Sequence, residues 1–432
     1  MKRLLIVSPH FPPVNAPDAQ RVLGALPHLR ALGWETCVLC VDPRDINLPS
    51  EPAPVAGIPS FVRIVRCRAW PLAFTRLFGM RTLGRRARGS LYRAGLRIIA
   101  DWQPDLVYFS TTQNQLVSAG PRWKRETGIP FIVDVQDPWV TDFYDRPGAP
   151  RPPGGWKYAL SRRQNARLEQ QVFTTADGVT SVSPAYLSGL DSRHPAFARV
   201  PRIALPFGID TAAFAEAIAS APAPFQREPG KIHLVSLGAV GPIMHAAVTT
   251  LCARLRDLRT KDPALAARLR LHFIGTSYAP GAAATLSVLP VARAHQVDDL
   301  IDEIPARVPW REAQAGMAAA DALIVLTSTD PAYTPSKLAG CFLARRPVLL
   351  IAPAESSAAL LAGELGLGTR IDITGGSPHV LPDFLADLLS STPAWPQQRH
   401  EDRFKTHHTA AARTRQLAAF FDRVLTSTSP AK

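Results

Sequence analysis

DPAYTPSKLAGCFLARRPVLLIA, Asp330 to Ala352, is the stretch on which the reading of the fold turns. A continuous apolar run, Ala322–Thr327, precedes it, and a second, Pro347–Ala352, closes it. Runs without polar alternation are what strands buried on both faces require. Between them Thr334 offers an N-cap hydroxyl, Pro335 suits the first helical position, and Ser336 and Lys337 fall in the first turn. Strand, loop, capped helix and strand make a βαβ unit, whose ligand edge lies at the strand's carboxyl end. First-turn amides lack intrahelical partners and carry the positive end of the helix dipole. Thr334, Ser336 and Lys337 are therefore a candidate phosphate-binding group.

The same alternation extends outward in both directions. Arg3–Ser8, Glu35–Val41, Asp105–Ser110, Pro130–Val135 and Gly178–Ser183 read as buried strands, with a helix over Ala19–Leu32 ended by Gly33. PFGIDTAAF and an Ala/Pro-rich spacer interrupt the pattern between Pro206 and Gly230. It then restarts at Lys231–Ser236 and continues through Arg270–Gly275, Ala322–Thr327, Pro347–Ala352 and Gly368–Ile373. The pattern predicts an α/β fold of two doubly wound Rossmann-like domains facing a cleft. Their expected bounds are 1–205, a linker 206–230, 231–396, and a C-terminal helix 397–432 packing back toward the first domain.

With 432 residues and 46% hydrophobic content the chain can bury a large core, and no run of about 18 uncharged apolar residues suggests a membrane span. The start, MKRLLIVSPHF, has too short an apolar run for a signal peptide and reads as the first strand of a cytoplasmic protein. Cys37 and Cys40 form a C-x-x-C inside a strand, where residues three apart point to opposite faces. They are expected in the core rather than on a metal.

The net charge of +14 is unevenly placed. Between Pro52 and Ala100 there is no Asp, Glu or Lys, yet ten arginines occur: Arg63, Arg66, Arg68, Arg76, Arg81, Arg85, Arg86, Arg88, Arg93 and Arg97. Trp70, Phe74, Leu77, Phe78, Leu83, Leu91 and Tyr92 are interleaved with them. A basic amphipathic segment of this kind fits the anionic inner face of a membrane, with the protein bound peripherally. No zinc finger, aromatic RNA-binding signature or helix-turn-helix accompanies the charge, so nucleic acid is not an expected partner.

Several marks then occur in a fixed order: HFPP at His10, VDVQDPW ending at Trp139, ADGVTSVS at Ala176–Ser183, PFGID with Phe214, PSKL at Pro335 and RPVL at Arg346. In these the chain resembles, over most of its length, the two-domain bacterial glycosyltransferases of the GT-B fold. It is most similar to the large retaining family that includes many lipopolysaccharide and exopolysaccharide enzymes. The resemblance implies metal-independent, retaining transfer from a nucleotide-sugar donor to a lipid-linked or polysaccharide acceptor in cell-surface glycan synthesis, with no cofactor. Three departures accompany it. The first loop, VNAPDAQR, lacks the family's glycines, and Arg21 stands there as a substitute anion contact. Ala332 and Gly340 occupy the places of two glutamates eight residues apart. Gln136 precedes Asp137 where some relatives carry histidine or arginine.

Glycosyl transfer needs neutralisation of a leaving diphosphate, stabilisation of an oxocarbenium-like transition state and deprotonation of an acceptor hydroxyl. Lys337, with Thr334, Ser336 and Arg21, is assigned the first task. Gly238 and Gly241 in SLGAVG form a turn that lets backbone approach phosphate, and Tyr278 is a candidate for stacking on the base. Asp137, ending a strand, and His10, following the first strand, are the candidate catalytic groups. Each also has a plain reading as a turn residue. The absent glutamates leave open a relative that binds nucleotide sugar, glycan or protein without turnover. A sugar-nucleotide epimerase would need more acidic and histidine residues at the strand ends than this chain supplies.

Overall fold

The apolar runs become the central strands of two parallel sheets in the computed structural model, which describes residues 1–48, 57–145, 151–152, 155–277, 279, 283–373, 378–390 and 398–428. The chain divides into two units, Met1–Gly208 with Ala410–Lys432, and Ile209–Thr409. The first unit holds β1 (Lys2–Val7), β2 (Trp34–Val41), β3 (Arg63–Cys67), β4 (Leu106–Ser110), β5 (Phe131–Val135), β6 (Gly178–Ser181) and β7 (Arg202–Ala204), ordered β3-β2-β1-β4-β5-β6-β7. The second holds β8 (Ile232–Leu237), β9 (Leu269–Ile274), β10 (Ile301–Ile304), β11 (Ala322–Leu326), β12 (Val348–Ala352) and β13 (Thr369–Asp372), ordered β10-β9-β8-β11-β12-β13. Strand order reverses between β1 and β4 and again between β8 and β11. A doubly wound sheet offers its ligand crevice outside the carboxyl ends of such a pair.

Strands β3, β7 and β10 lie at sheet edges, where half-exposed residues replace the apolar run, which is why continuous hydrophobicity does not reveal them. The basic segment is consequently not one amphipathic stretch. Arg63 and Arg66 sit on β3, a short helix and a 3₁₀ turn follow at Leu72–Thr75 and Arg76–Phe78, and a 20-residue helix runs over Leu83–Trp102. That helix shares one face of the first sheet with the helix Ala119–Thr127, and Trp123 is fully buried there with Phe109 and Phe131. Gly95 is what lets them pack so closely, since a Cβ at that position would stand 2.0 Å from the Trp123 ring.

Helices Gln20–Leu29 and Ala410–Thr428 cover the other face, with Phe421 set edge-on to Trp34 and Tyr108 at 5.5 and 5.0 Å. The expected single C-terminal helix is in fact two, Gln398–His407 and Ala410–Thr428. The break follows from backbone pairing: Ile209 N donates to His408 O, and Ile209 bridges to Thr409. The first helix thus belongs to the second unit and the second helix to the first unit. Nor is the stretch 206–230 a plain spacer, because Asp210 caps a helix over Thr211–Ser220 that buries Phe214.

All five cysteines are free and buried, and burial pushes the Cys37 thiol up to about 11 and Cys40 to about 12. On β8 and β9, His233 Nδ1 and His272 Nε2 lie 2.9 Å apart, with Phe225 stacked on His272 at 4.3 Å. Burial, reinforced by His233 and Arg270 and opposed by Asp302 and Glu228, holds His272 down at about 4. The unfolded chain takes up that proton near the ordinary imidazole value, so stability is fully present above about pH 6.5 and is lost as pH falls toward 4. His272→Gln is expected to flatten the acid limb of stability against pH, checked by urea unfolding at pH 7 and 4.5. An unchanged slope would disprove this assignment.

Candidate active site

In the first unit, β1 ends at Val7 and the chain turns through Ser8–Phe11, which places His10 at the switch point. His10 Nδ1 lies 2.9 Å from Asp18 Oδ2. Asp18 is buried in the 3₁₀ turn Pro17–Ala19 and also accepts from Thr112 N and Thr112 Oγ1, so it joins the loops that follow β1 and β4. With Nδ1 committed to Asp18, proton exchange falls to Nε2.

Asp137 follows β5, its side chain open to solvent but its surroundings densely packed. Burial of the site, then the Asp18 carboxylate, raises its pKa above the ordinary carboxylate value. Asp18 thus bonds to one sequence candidate, His10, and acts on the other, Asp137, through its charge. If Asp137 must be ionised to act, the acidic limb of the kcat/KM profile lies above the usual carboxylate range. Asp18→Asn is expected to move that limb to lower pH by removing a like charge. A limb that does not move would separate Asp137 from Asp18.

Arg21 is corrected by the structure. Its side chain is 4% exposed, Nε donates to Asp134 Oδ2 at 2.8 Å and the guanidinium lies over the Phe207 ring at 5.1 Å. A second donation, from Nη2 to Leu205 O at 2.5 Å, completes its enclosure. Its charge is already neutralised by an internal carboxylate, so it is a structural cation and not an anion contact. Asp134 also accepts from Ser110 Oγ, Thr180 Oγ1 and Gln136 Nε2. Gln136 reaches on to Asp18 O at 3.3 Å and so braces the loop that carries the His10 partner.

In the second unit, Gly238 follows β8 with φ +94, a left-handed conformation that a side chain would strain. Its N–H donates to Ile274 O, and Val240 N donates to Thr276 O, which lays the turn along the end of β9. Gly241 has φ −81, so its role is not conformational; it leads into the 3₁₀ turn Pro242–Met244 and the helix His245–Lys261. Lys337, from the loop after β11, crosses the switch point: Nζ donates to Leu237 O and stands 3.6 Å from where a Gly238 Cβ would be. Burial lowers its pKa. No carboxylate pairs with it among the described residues. Ser236 Oγ and Thr334 Oγ1 are buried atoms that also lack partners there.

The capped helix expected at Pro335 does not form. The helix spans Leu338–Leu343, only six residues, Lys337 is its N-cap, and no side chain caps it. Asp330 has taken the preceding residues into turns instead, its Oδ1 accepting from Ala332 N and its carbonyl from Tyr333 N. Anion affinity here rests on Lys337 and the Gly238 turn rather than on a helix dipole; Ser336 is exposed beside them. A Cβ at Gly340 would meet Met317 Cε at 3.3 Å, a tight contact with the flexible end of a side chain on the neighbouring helix Trp310–Ala319. Tyr278 lies outside the described residues. Three organising carboxylates, Asp18, Asp134 and Glu303, were not singled out in the sequence. Glu303 accepts from Thr276 Oγ1 and the amides of Ser287, Val288 and Leu289, fixing the loop after β9. Polar neighbours at strand ends were the available signal for all three.

Residues 19–208 match the family described as "Glycosyl transferase 4-like domain". That match lies within the first unit, and the solved structures share the two-domain GT-B fold over the whole chain. Among solved structures the chain is similar to sucrose-phosphate synthase from Thermosynechococcus elongatus, at 15% identity over 99% of this chain and 100% of that one, with a TM-score of 0.67. It is also similar to a UDP-forming alpha,alpha-trehalose-phosphate synthase from Burkholderia vietnamiensis, at 14% identity over 100% of both chains, with a TM-score of 0.65. Anabaena HepE in complex with UDP-glucose matches at 11% identity over 100% of both chains, with a TM-score of 0.58. No curated protein matches the sequence.

Proposed function

We propose that the protein transfers a sugar from a nucleotide-sugar donor to a lipid-linked or polysaccharide acceptor in cell-surface glycan synthesis, with retention and without a metal. The observation that carries the donor half is Lys337, whose amine donates to the Leu237 carbonyl at the β8 terminus beside the left-handed Gly238 and pairs with no carboxylate among the described residues. A diphosphate would supply the missing counter-charge. On the acceptor side, His10 held by Asp18 is suited to accept a hydroxyl proton, and Asp137 to oppose developing positive charge.

The UDP-glucose in the Anabaena HepE structure puts UDP-sugars first in a donor panel. The reading is tested by donor hydrolysis and transfer with that panel, with and without chelator, for the parent, His10→Ala and Asp137→Ala. Chelator-insensitive turnover that falls in both variants supports it; unchanged turnover in both would remove the assignments. The Arg63–Arg97 segment supports a cytoplasmic, peripherally membrane-bound location. Among the described residues no helix is long and apolar enough to cross a membrane.

A second reading, binding without turnover, is favoured by Ala332 and Gly340, which stand where the family that the chain resembles carries two glutamates. Calorimetry with nucleoside diphosphates beside the turnover assay distinguishes it: binding without any transfer would establish a sensor.

A further inference from the structure

We infer that Trp70, Phe74, Leu77 and Phe78 form an insertion element that seats the first unit in the headgroup layer of an anionic lipid surface. The inference deepens, and rests on, the membrane reading of the basic segment. These four side chains are 62%, 53%, 81% and 63% exposed, a dense apolar projection within nine residues. The three rings recur every fourth residue and so ladder along one side of the short helix and its 3₁₀ extension, with centroids 6.2 Å apart for Trp70–Phe74 and 5.3 Å for Phe74–Phe78.

The ladder is fixed to the scaffold. Trp70 N donates to Arg86 O, and the buried Arg86 guanidinium donates to Trp70 O at 2.9 Å and to Asp45 O at 2.8 Å. Thr75, buried on the underside, closes the short helix on itself by donating from Oγ1 to Pro71 O, and Gly79, at φ +69, ends the turn. Rings held outward by buried hydrogen bonds keep little freedom to fold back, so their exposure is built in.

Charge selects the occupant. Arg76, Arg81, Arg85 and Arg88 are exposed around the ladder and pair with no carboxylate among the described residues. Apolar rings within a cationic rim match acyl chains beneath phosphate headgroups. A second copy of this chain would set arginine against arginine. The surface continues onto the helix Trp156–Phe173, where Trp156 and Leu160 are 73% and 50% exposed and Arg85 Nη2 donates to Gln164 Oε1 at 2.6 Å. That second apolar site lies far from the arginine run in sequence.

The test is flotation of the full chain with phosphatidylcholine vesicles, with and without phosphatidylglycerol. Three proteins are compared: the parent, Trp70→Ser/Phe74→Ser/Phe78→Ser, and Arg81→Gln/Arg85→Gln/Arg88→Gln. The parent is expected to float only with anionic vesicles and to be released by salt. Both variants should lose at least about tenfold in partitioning, in line with lost apolar burial and lost surface attraction. Circular dichroism confirms folding, and the nucleotide-induced melting shift reports the donor site independently, so failure of the transferase reading is visible separately. An aromatic variant that floats like the parent would overturn insertion in favour of charge adsorption. Equal flotation with neutral vesicles, or self-association abolished by the aromatic changes without vesicle binding, would overturn the lipid assignment.

Discussion

Lys337→Met is expected to abolish stabilisation by nucleoside diphosphate while leaving the ligand-free protein at least as stable as the parent. Removing a partnered buried cation ordinarily leaves an orphaned carboxylate, but here no carboxylate among the described residues pairs with it. Its amine has a backbone carbonyl, a lowered pKa and a setting that disfavours charge. Methionine keeps most of the side chain's length and removes that desolvation cost. The catalytic consequence runs the other way. A fixed cation on a leaving diphosphate acts where charge develops, and losing such a group costs on the order of 10²–10³ in turnover. Thermal melting with and without UDP, beside kcat/KM for the preferred donor, reads both effects. A variant that melts lower without ligand and retains its UDP shift would place Lys337 in the scaffold instead.

The second large effect is expected at Asp134. Asp134→Asn leaves Arg21 buried at 4% exposure without its counter-charge and reduces the acceptor capacity that Ser110, Thr180 and Gln136 share. Breaking one side of such a buried pair costs about 3–5 kcal/mol, whereas replacing both partners with apolar residues of similar volume costs far less. Urea unfolding of Asp134→Asn should therefore show a much lower midpoint, and Arg21→Met/Asp134→Leu should recover a large part of it. A single variant within about 1 kcal/mol of the parent would show that the network carries little energy. Because Gln136 links Asp134 to the loop that positions Asp18, Asp134→Asn should also lower kcat, through displacement of His10 rather than through substrate affinity.

Residues whose place in the fold follows from chain position were legible. Each central strand announces itself as an apolar run, and the residues just past its end stand at the ligand edge; His10, Asp137 and Gly238 were picked out in this way, whereas Lys337 was picked out as part of a capped helix that starts later than expected. Residues whose role depends on a distant partner were not. Arg21 looked like a free cation in a polar loop, yet its partner is 113 residues away on β5. Thr334 had the right neighbours for a cap, but the turn built on Asp330 delayed the helix to Leu338. Arg86 sat in a run of arginines and proved to be the buried clamp of the aromatic ladder.

The sequence by itself determined the two parallel sheets and the edge of each at which chemistry is expected. Hydrophobic periodicity and strand termini are local properties, written in consecutive residues. Only the tertiary structure decided which charges are spent and which remain available. Neutralising Arg21, isolating Lys337, fixing His10 through Asp18 and leaving Arg76, Arg81, Arg85 and Arg88 without a carboxylate partner among the described residues all depend on what the fold sets within about 3–4 Å, the range in which a charge is satisfied.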